Sequence, residues 1–234
     1  RETMPTAQAL QGAGFNVLAF DFRAHGESAG RWTSCGLLET RDLRGAVRYA
    51  LERPETIGSH VGVVGFSMGG AVAIMTAADM PEIGAVVADS CFATLKEVVF
   101  GGLKTFWGVP SFPIAPLSLW FAERLVGVCA DEARPVARIA AISPRPILIV
   151  HGVEDRLVPV GDAYLLYAAA EEPKELWIVP GADHVEARTL DPEGYLERID
   201  AFFRKWLAGP AGRQGLRLPA DRRRETTTGG SSRS

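Results

Sequence analysis

Val61-Gly62-Val63-Val64-Gly65-Phe66-Ser67-Met68-Gly69-Gly70 decides the reading of this chain. Its first four residues are apolar, three of them β-branched valines, as a strand buried on both faces requires. Its continuation, Ala71 to Ala78, is rich in alanine and ends before Pro81, as a helix would. The pattern GxSxG therefore falls where a strand reverses sharply into a helix. Such a turn holds the serine in a strained backbone conformation, and glycine two before and two after is expected because a Cβ there would collide with the neighbouring strand or helix. The turn lifts Ser67 Oγ clear of the sheet, and the Met68 N–H at the start of the helix becomes a candidate oxyanion donor.

The same alternation extends outward. Val17–Phe20, Ala85–Ala88, Ile147–Val150 and Leu176–Val179 are further four-residue apolar runs ending at Asp, Gly or Pro. Leu43, Ala46, Val47, Ala50 and Leu51 make an i, i+3, i+4, i+7, i+8 stripe, and Tyr195, Ile199, Phe202, Phe203 and Trp206 form a second apolar face behind an Asp191–Pro192 helix start. Strand and helix alternating in this way predict an α/β fold with a mostly parallel sheet between helices. Residues 92 to about 140 interrupt the rhythm: prolines and aromatics, with no strand pattern, predict a helical insertion acting as a lid over a binding site. Residues 209–234 are rich in Gly, Ser, Thr and Arg, including Arg222-Arg223-Arg224, with almost no apolar content, and are expected to form a disordered tail. The folded domain is accordingly placed at 1–208.

Composition narrows the classes. The chain has 234 residues, 47% of them hydrophobic, with a net charge of −3. That suffices for one large domain and gives no basic field for nucleic acid. The most apolar stretch, Phe106 to Val128, is broken by three prolines and by Glu123 and Arg124, so membrane insertion of this segment is not expected. Cys35, Cys91 and Cys129 are few and widely spaced, and are expected as free, mostly buried thiols in a cytoplasmic setting. No GxGxxG or P-loop follows a strand, no metal-ligand spacing occurs, and no cofactor is expected.

A serine hydroxyl needs a base, and four histidines are available. His25 lies in a loop after Val17–Phe20. His60 precedes the elbow strand at its far end, and His151 closes a strand where it is expected to brace a loop. His184 follows the last strand and precedes the last helix. Parallel strands present their C-terminal ends along one edge, so His184 can converge on Ser67. Asp155, also past a strand end, is the leading acid, with Glu154 and Asp89 as alternatives and Asp183 too near His184 in sequence to wrap around it. Ser67, Asp155, His184 follows the chain order serine, acid, histidine.

The segments DFRAHGES (21–28), GFSMGG (65–70), HGVEDRLVP (151–159) and PGADH (180–184) resemble, in this order, the α/β-hydrolase superfamily. The resemblance is closest to bacterial serine-aminopeptidase-like and dienelactone-hydrolase-like members, and it spans about Thr3 to Leu207. It implies an eight-stranded, mostly parallel sheet, a lid after the sixth strand, no cofactor, a Ser67–Asp155–His184 triad and Met68 as one oxyanion donor. The family's first three strands, and the His-Gly loop with its second oxyanion donor, have no counterpart here, because only an opening helix precedes Val17. One missing strand would lie between Val17–Phe20 and Val61–Val64. An N-terminally incomplete copy, with an upstream targeting or membrane segment lost, is the expectation. An apolar aromatic lid favours carboxylic esters, cleaved through an acyl-enzyme. A peptidase or amidase acting on short peptide-like substrates is the enzymatic alternative, and a non-catalytic hydrolase-like binding protein is the other.

Overall fold

The computed structural model describes residues 3–108 and 111–207. Its helices and strands run α1 (Met4–Gly12), α2 (Glu39–Leu51), β1 (Val61–Phe66), α3 (Met68–Ala77), β2 (Ile83–Asp89), α4 (Leu95–Trp107), α5 (Ser111–Val126), α6 (Pro135–Arg138), β3 (Ile147–Gly152), α7 (Gly161–Ala169), β4 (Lys174–Val179), α8 (Ala187–Leu190) and α9 (Pro192–Leu207). Single 3-10 turns at Ala130–Glu132 and Ile139–Ile142 flank α6. Among the described residues the strands form one four-stranded sheet in the order β1-β2-β3-β4, every pair parallel.

The apolar runs are two-faced because the sheet is covered twice. Val86, Ala88, Ile147 and Ile149 point into a core shared with Val72 and Ile74 of α3, Val47 of α2 and Leu166 of α7. Their neighbours Ala85, Val87, Leu148 and Val150 point the other way, onto Leu10 of α1 and Ile199, Phe202 and Phe203 of α9. Successive residues of a strand face opposite sides, so each run must be apolar throughout. Helix α9 begins as its sequence predicts: the Asp191 side chain accepts from the Gly194 N–H at 3.0 Å.

Three expectations are corrected. Val17–Phe20 has no regular secondary structure and joins no ladder among the described residues, and Val17, Leu18 and Phe20 are 40, 44 and 39% exposed. A strand needs a bonding partner; among the described residues no strand lies between this segment and β1, whose ladder is with β2. Of the cysteines only Cys91 is buried, whereas Cys35 and Cys129 are exposed. The third correction concerns the elbow glycines. A Cβ on Gly65 would fall 2.2 Å from Gly69 O, but one on Gly69 would meet only Phe22 Cε2 at 3.8 Å. The crowding acts in one direction: the bare Gly65 makes room for the Gly69 backbone. Gly70 is the second tight position, 3.0 Å from Cys91 Cβ. Between 92 and 140 the described residues hold α4, α5, α6 and two 3-10 turns and no strand, while the predicted tail at 209–234 lies outside the described residues.

Gly65→Ala is therefore expected to destabilise the protein by about 3 kcal/mol or more, the upper end for forced overpacking. Gly45→Ala, mid-α2 with open space around its Cβ, should stabilise by roughly 0.5–1 kcal/mol. Urea denaturation of the three proteins checks both signs.

Candidate active site

The site is built where strand ends meet. β1 ends at Phe66, and Ser67 turns the chain with φ 51° and ψ −117° into α3. The Ser67 N–H donates to Asp89 O at 2.8 Å, so the turn is tied to the end of β2. From beyond β3 comes Asp155, and from beyond β4 comes His184. The structure brings Ser67, Asp155 and His184 together: His184 Nε2 lies 2.9 Å from Ser67 Oγ, and His184 Nδ1 lies 2.8 Å from Asp155 Oδ2. A carboxylate only accepts, so Nδ1 carries the proton and Nε2 presents its lone pair to the serine hydroxyl.

Asp155 is held from all sides. Its Oδ1 accepts the N–H groups of Leu157 and Val158 at 3.0 and 2.8 Å. His151, fully buried, places Nε2 3.3 Å from Asp155 Oδ2 and 2.8 Å from Val158 O. Both neighbours are acceptors, so that nitrogen is the donor, and buried Nδ1 has no hydrogen-bond partner among the described residues. Burial alone would raise the Asp155 pKa; the donors from His151, His184 and Val158 outweigh it and hold the carboxyl well below its usual range. For His151, burial pulls the pKa down, and the bonds to Asp155 and to Val158 O push it above the ordinary histidine value. The bracing role predicted for His151 thus lands on the acid itself.

The other candidates fall elsewhere. Asp89 is completely buried and accepts from Ser90 Oγ and the Tyr195 hydroxyl, with its pKa raised by burial against those bonds. Asp183 ties the two loops together: it accepts from the Arg156 N–H at 3.0 Å and pairs with the Arg156 guanidinium. Glu154 is exposed, and its N–H donates to Ala182 O. His25 sits exposed in its turn against Arg23 O, and His60 lies exposed just before β1.

Met68 is the first residue of α3, directly after Ser67, where a helix N–H has no intrahelical carbonyl to bond. Next to it is a feature the sequence reading missed. Glu39, fully buried, accepts from the N–H groups of Ser34 and Gly36 and the hydroxyls of Thr33 and Ser34. Thr33 Oγ1 in turn lies 3.7 Å from Met68 Sδ. Burial raises the Glu39 pKa, and these donors bring it below the ordinary value. A loop rich in Thr, Ser and Gly just before a helix starting with Glu was the available signal. Among the described residues no group of three or more His, Cys, Asp or Glu could hold a metal ion. No helix among them is long and apolar enough to cross a membrane.

With this geometry in place, the comparisons with known proteins agree in kind. The sequence profile of the alpha/beta hydrolase family matches residues 3–198, and the chain belongs to that family. It is similar to the uncharacterized protein YqkD of Bacillus subtilis, 32% identical over 192 residues that cover 81% of this chain and 62% of YqkD. The chain thus spans less than two thirds of that relative's length. Among solved structures, an esterase of Pyrococcus furiosus, Pf2001, shares 31% identity with a TM-score of 0.70, over 87% of this chain and 76% of that one. Est1E of Butyrivibrio proteoclasticus, at 22% identity and a TM-score of 0.71 over 89% and 84%, shares the fold.

The low Asp155 pKa sets a sign for acid stability. A carboxyl depressed on folding contributes stability above its unfolded value, about 3.9, and loses it as pH falls toward the folded value. Asp155→Asn is therefore expected to be less stable than the parent at pH 7, with the gap narrowing below about pH 4. Urea midpoints at pH 7 and pH 3 measure it, and a gap that widens on acidification contradicts the ionised assignment.

Proposed function

We propose that the protein is a serine hydrolase that cleaves carboxylic esters by acyl transfer, with Ser67 as nucleophile, His184 as base and Asp155 as the orienting acid. The observation that carries this reading is the unbroken line from Ser67 Oγ through His184 Nε2 and Nδ1 to Asp155 Oδ2, two contacts of 2.9 and 2.8 Å. As Ser67 Oγ attacks the ester carbonyl, its proton passes to His184 Nε2, and Asp155 stabilises the imidazolium that forms. The carbonyl oxygen becomes an oxyanion facing the Met68 N–H. Collapse expels the alkoxide, which takes the proton from His184. Water, deprotonated by the same imidazole, then attacks the acyl-serine; as the acid leaves, the imidazolium returns that proton to Ser67 Oγ.

Supporting the ester over other acyl substrates are the similarity to Pf2001, an esterase, and the surface of the helical insertion. In our reading, α4 and α5 form a lid. Gly102 of α4 faces Leu157 of the acid loop, a Cβ there coming within 4.0 Å of Leu157 Cδ1. Phe112, Leu117, Trp120 and Phe121 on α5 are exposed, presenting apolar area suited to acyl or aryl groups rather than charged ones. A cavity of about 610 Å³ lies between α5 and the start of α2, lined by Leu37, Arg41, Trp120 and Cys129 among others. It does not reach the triad and is given no role in the reaction.

The test is hydrolysis of p-nitrophenyl acetate and butyrate, with labelling by a fluorophosphonate. Turnover and labelling are expected in the parent. Ser67→Ala should abolish labelling and bring turnover down to the level left by the oxyanion contact and binding, while Asp155→Asn should lower kcat by about 10⁴-fold. Undiminished ester turnover in Ser67→Ala would refute the proposal.

A further inference from the structure

Among the described residues four outside the triad hold positive φ without being glycine, Ala24, Cys35, Ser90 and Val185, and one hydrogen bond joins the last two. Ser90, directly after β2, has φ +53°, and Val185, directly after His184, has φ +60°. For a β-branched residue such as valine this is a true outlier, which persists only where the surroundings enforce it. The enforcing contact is the Val185 N–H, which donates to Ser90 Oγ at 3.0 Å. Ser90 O–H in turn donates to Asp89 Oδ1 at 3.0 Å, and the Tyr195 hydroxyl donates to Asp89 Oδ2 at 2.8 Å. Asp89, Ser90 and Tyr195 are 0, 1 and 2% exposed, so the bonds among these three are closed to water, while the bond from the Val185 N–H is half-buried.

The relay fixes the orientation of its central hydroxyl. Both oxygens of Asp89 are taken by hydroxyl donors, so the Ser90 proton points back to Asp89 and its lone pair is left to face Val185. Ser90 cannot drift, because its own N–H donates to Val150 O of β3 at 2.9 Å. The same dipeptide reaches the nucleophile: Asp89 O accepts the Ser67 N–H at 2.8 Å. A single buried Asp-Ser pair at the end of β2 thus sets the backbone of Ser67 on one side and that of the His184 loop on the other.

We infer that Ser90 is a positioning residue for His184, acting by pinning the Val185 amide in its left-handed conformation. The inference rests on the Ser67–His184–Asp155 reading above. Without the Ser90 hydroxyl, Val185 has no reason to keep a positive φ. Its return to the extended region turns the 184–185 peptide and swings the imidazole off its 2.9 Å contact with Ser67 Oγ. Substrate binding, which does not involve Ser90, is left alone. Displacements of this size, about 1 Å, cost on the order of 10²-fold in rate.

The experiment is a small cycle read in ester turnover. Ser90→Ala should lower kcat by about 10- to 100-fold with KM within about twofold. Val185→Gly places at 185 the residue that adopts a positive φ freely, so alone it should cost less than about threefold, and combined with Ser90→Ala it should recover at least half of the logarithmic loss. Ser90→Cys, with a weaker and longer-reaching acceptor, should fall between parent and Ser90→Ala. Thermal melts accompany each variant, and rates are compared where each is folded. A structural role alone would lower the melt without a kcat loss that Val185→Gly repairs. The inference is overturned if Ser90→Ala keeps parental kcat, or if the double variant is no better than Ser90→Ala. Should Ser90→Ala not fold, Ser90→Cys with and without Val185→Gly decides by the same two criteria. Ser67→Ala separates the layers: activity surviving that change removes the triad reading itself, whereas a dead Ser67→Ala beside an unaffected Ser90→Ala removes only the role of Ser90.

Discussion

Ser67 sits at φ 51° and ψ −117°, where an L-residue is strained, and the rest of the molecule is arranged so that it stays there. Gly65 yields the space of its missing Cβ to the Gly69 backbone, which lets α3 start directly against the end of β1. Asp89 O holds the Ser67 N–H, and the α3 helix behind packs Val72 and Ile74 into the core with Val86 and Ala88 of β2. A local strain of roughly 1–3 kcal/mol is small against burial of a core of this kind, where each large aliphatic side chain contributes about 1.5–3 kcal/mol.

The parallel sheet then does the assembling. Because β1, β2, β3 and β4 all point one way, every loop leaving a C-terminal end emerges on the same edge. Ser67, Ser90, Asp155 and His184 follow those four ends, and Asp89 is the last residue of β2. Each is then trimmed into place by contacts between loops: His151 and the 157–158 amides on Asp155, Arg156 on Asp183, Ser90 on Val185. Three of these contacts involve buried groups, where an unpaired partner would be costly, so the loops are coupled rather than independently mobile.

Electrostatically the site is dominated by acids. Asp89, Asp155 and Asp162 are all buried near two histidines. The three separate by their donors. Asp155, with two backbone amides and two imidazoles, is pulled down despite burial. Asp89, with two neutral hydroxyls, and Asp162, with one amide from Ala93, remain raised by burial. The group that faces the base is thereby the one most firmly ionised.

Much of this was legible in the residues. The GxSxG turn between a β-branched run and an alanine-rich helix, the two-faced apolar runs, and the order Ser67, Asp155, His184 are local patterns or consequences of parallel connection, and these determined the fold class and the residues that meet. What tertiary structure alone decided depends on neighbours distant in sequence. Val17–Phe20 carries strand propensity but gains no ladder, since pairing needs an adjacent chain segment. Gly69 is free and Gly70 is crowded because Cys91, 21 positions on, packs against the elbow. His151 grips the acid, Glu39 is buried under four donors, and Ser90 reaches Val185, 95 positions away. A linear pattern records which faces must be apolar, but not which polar group satisfies which once those faces have closed.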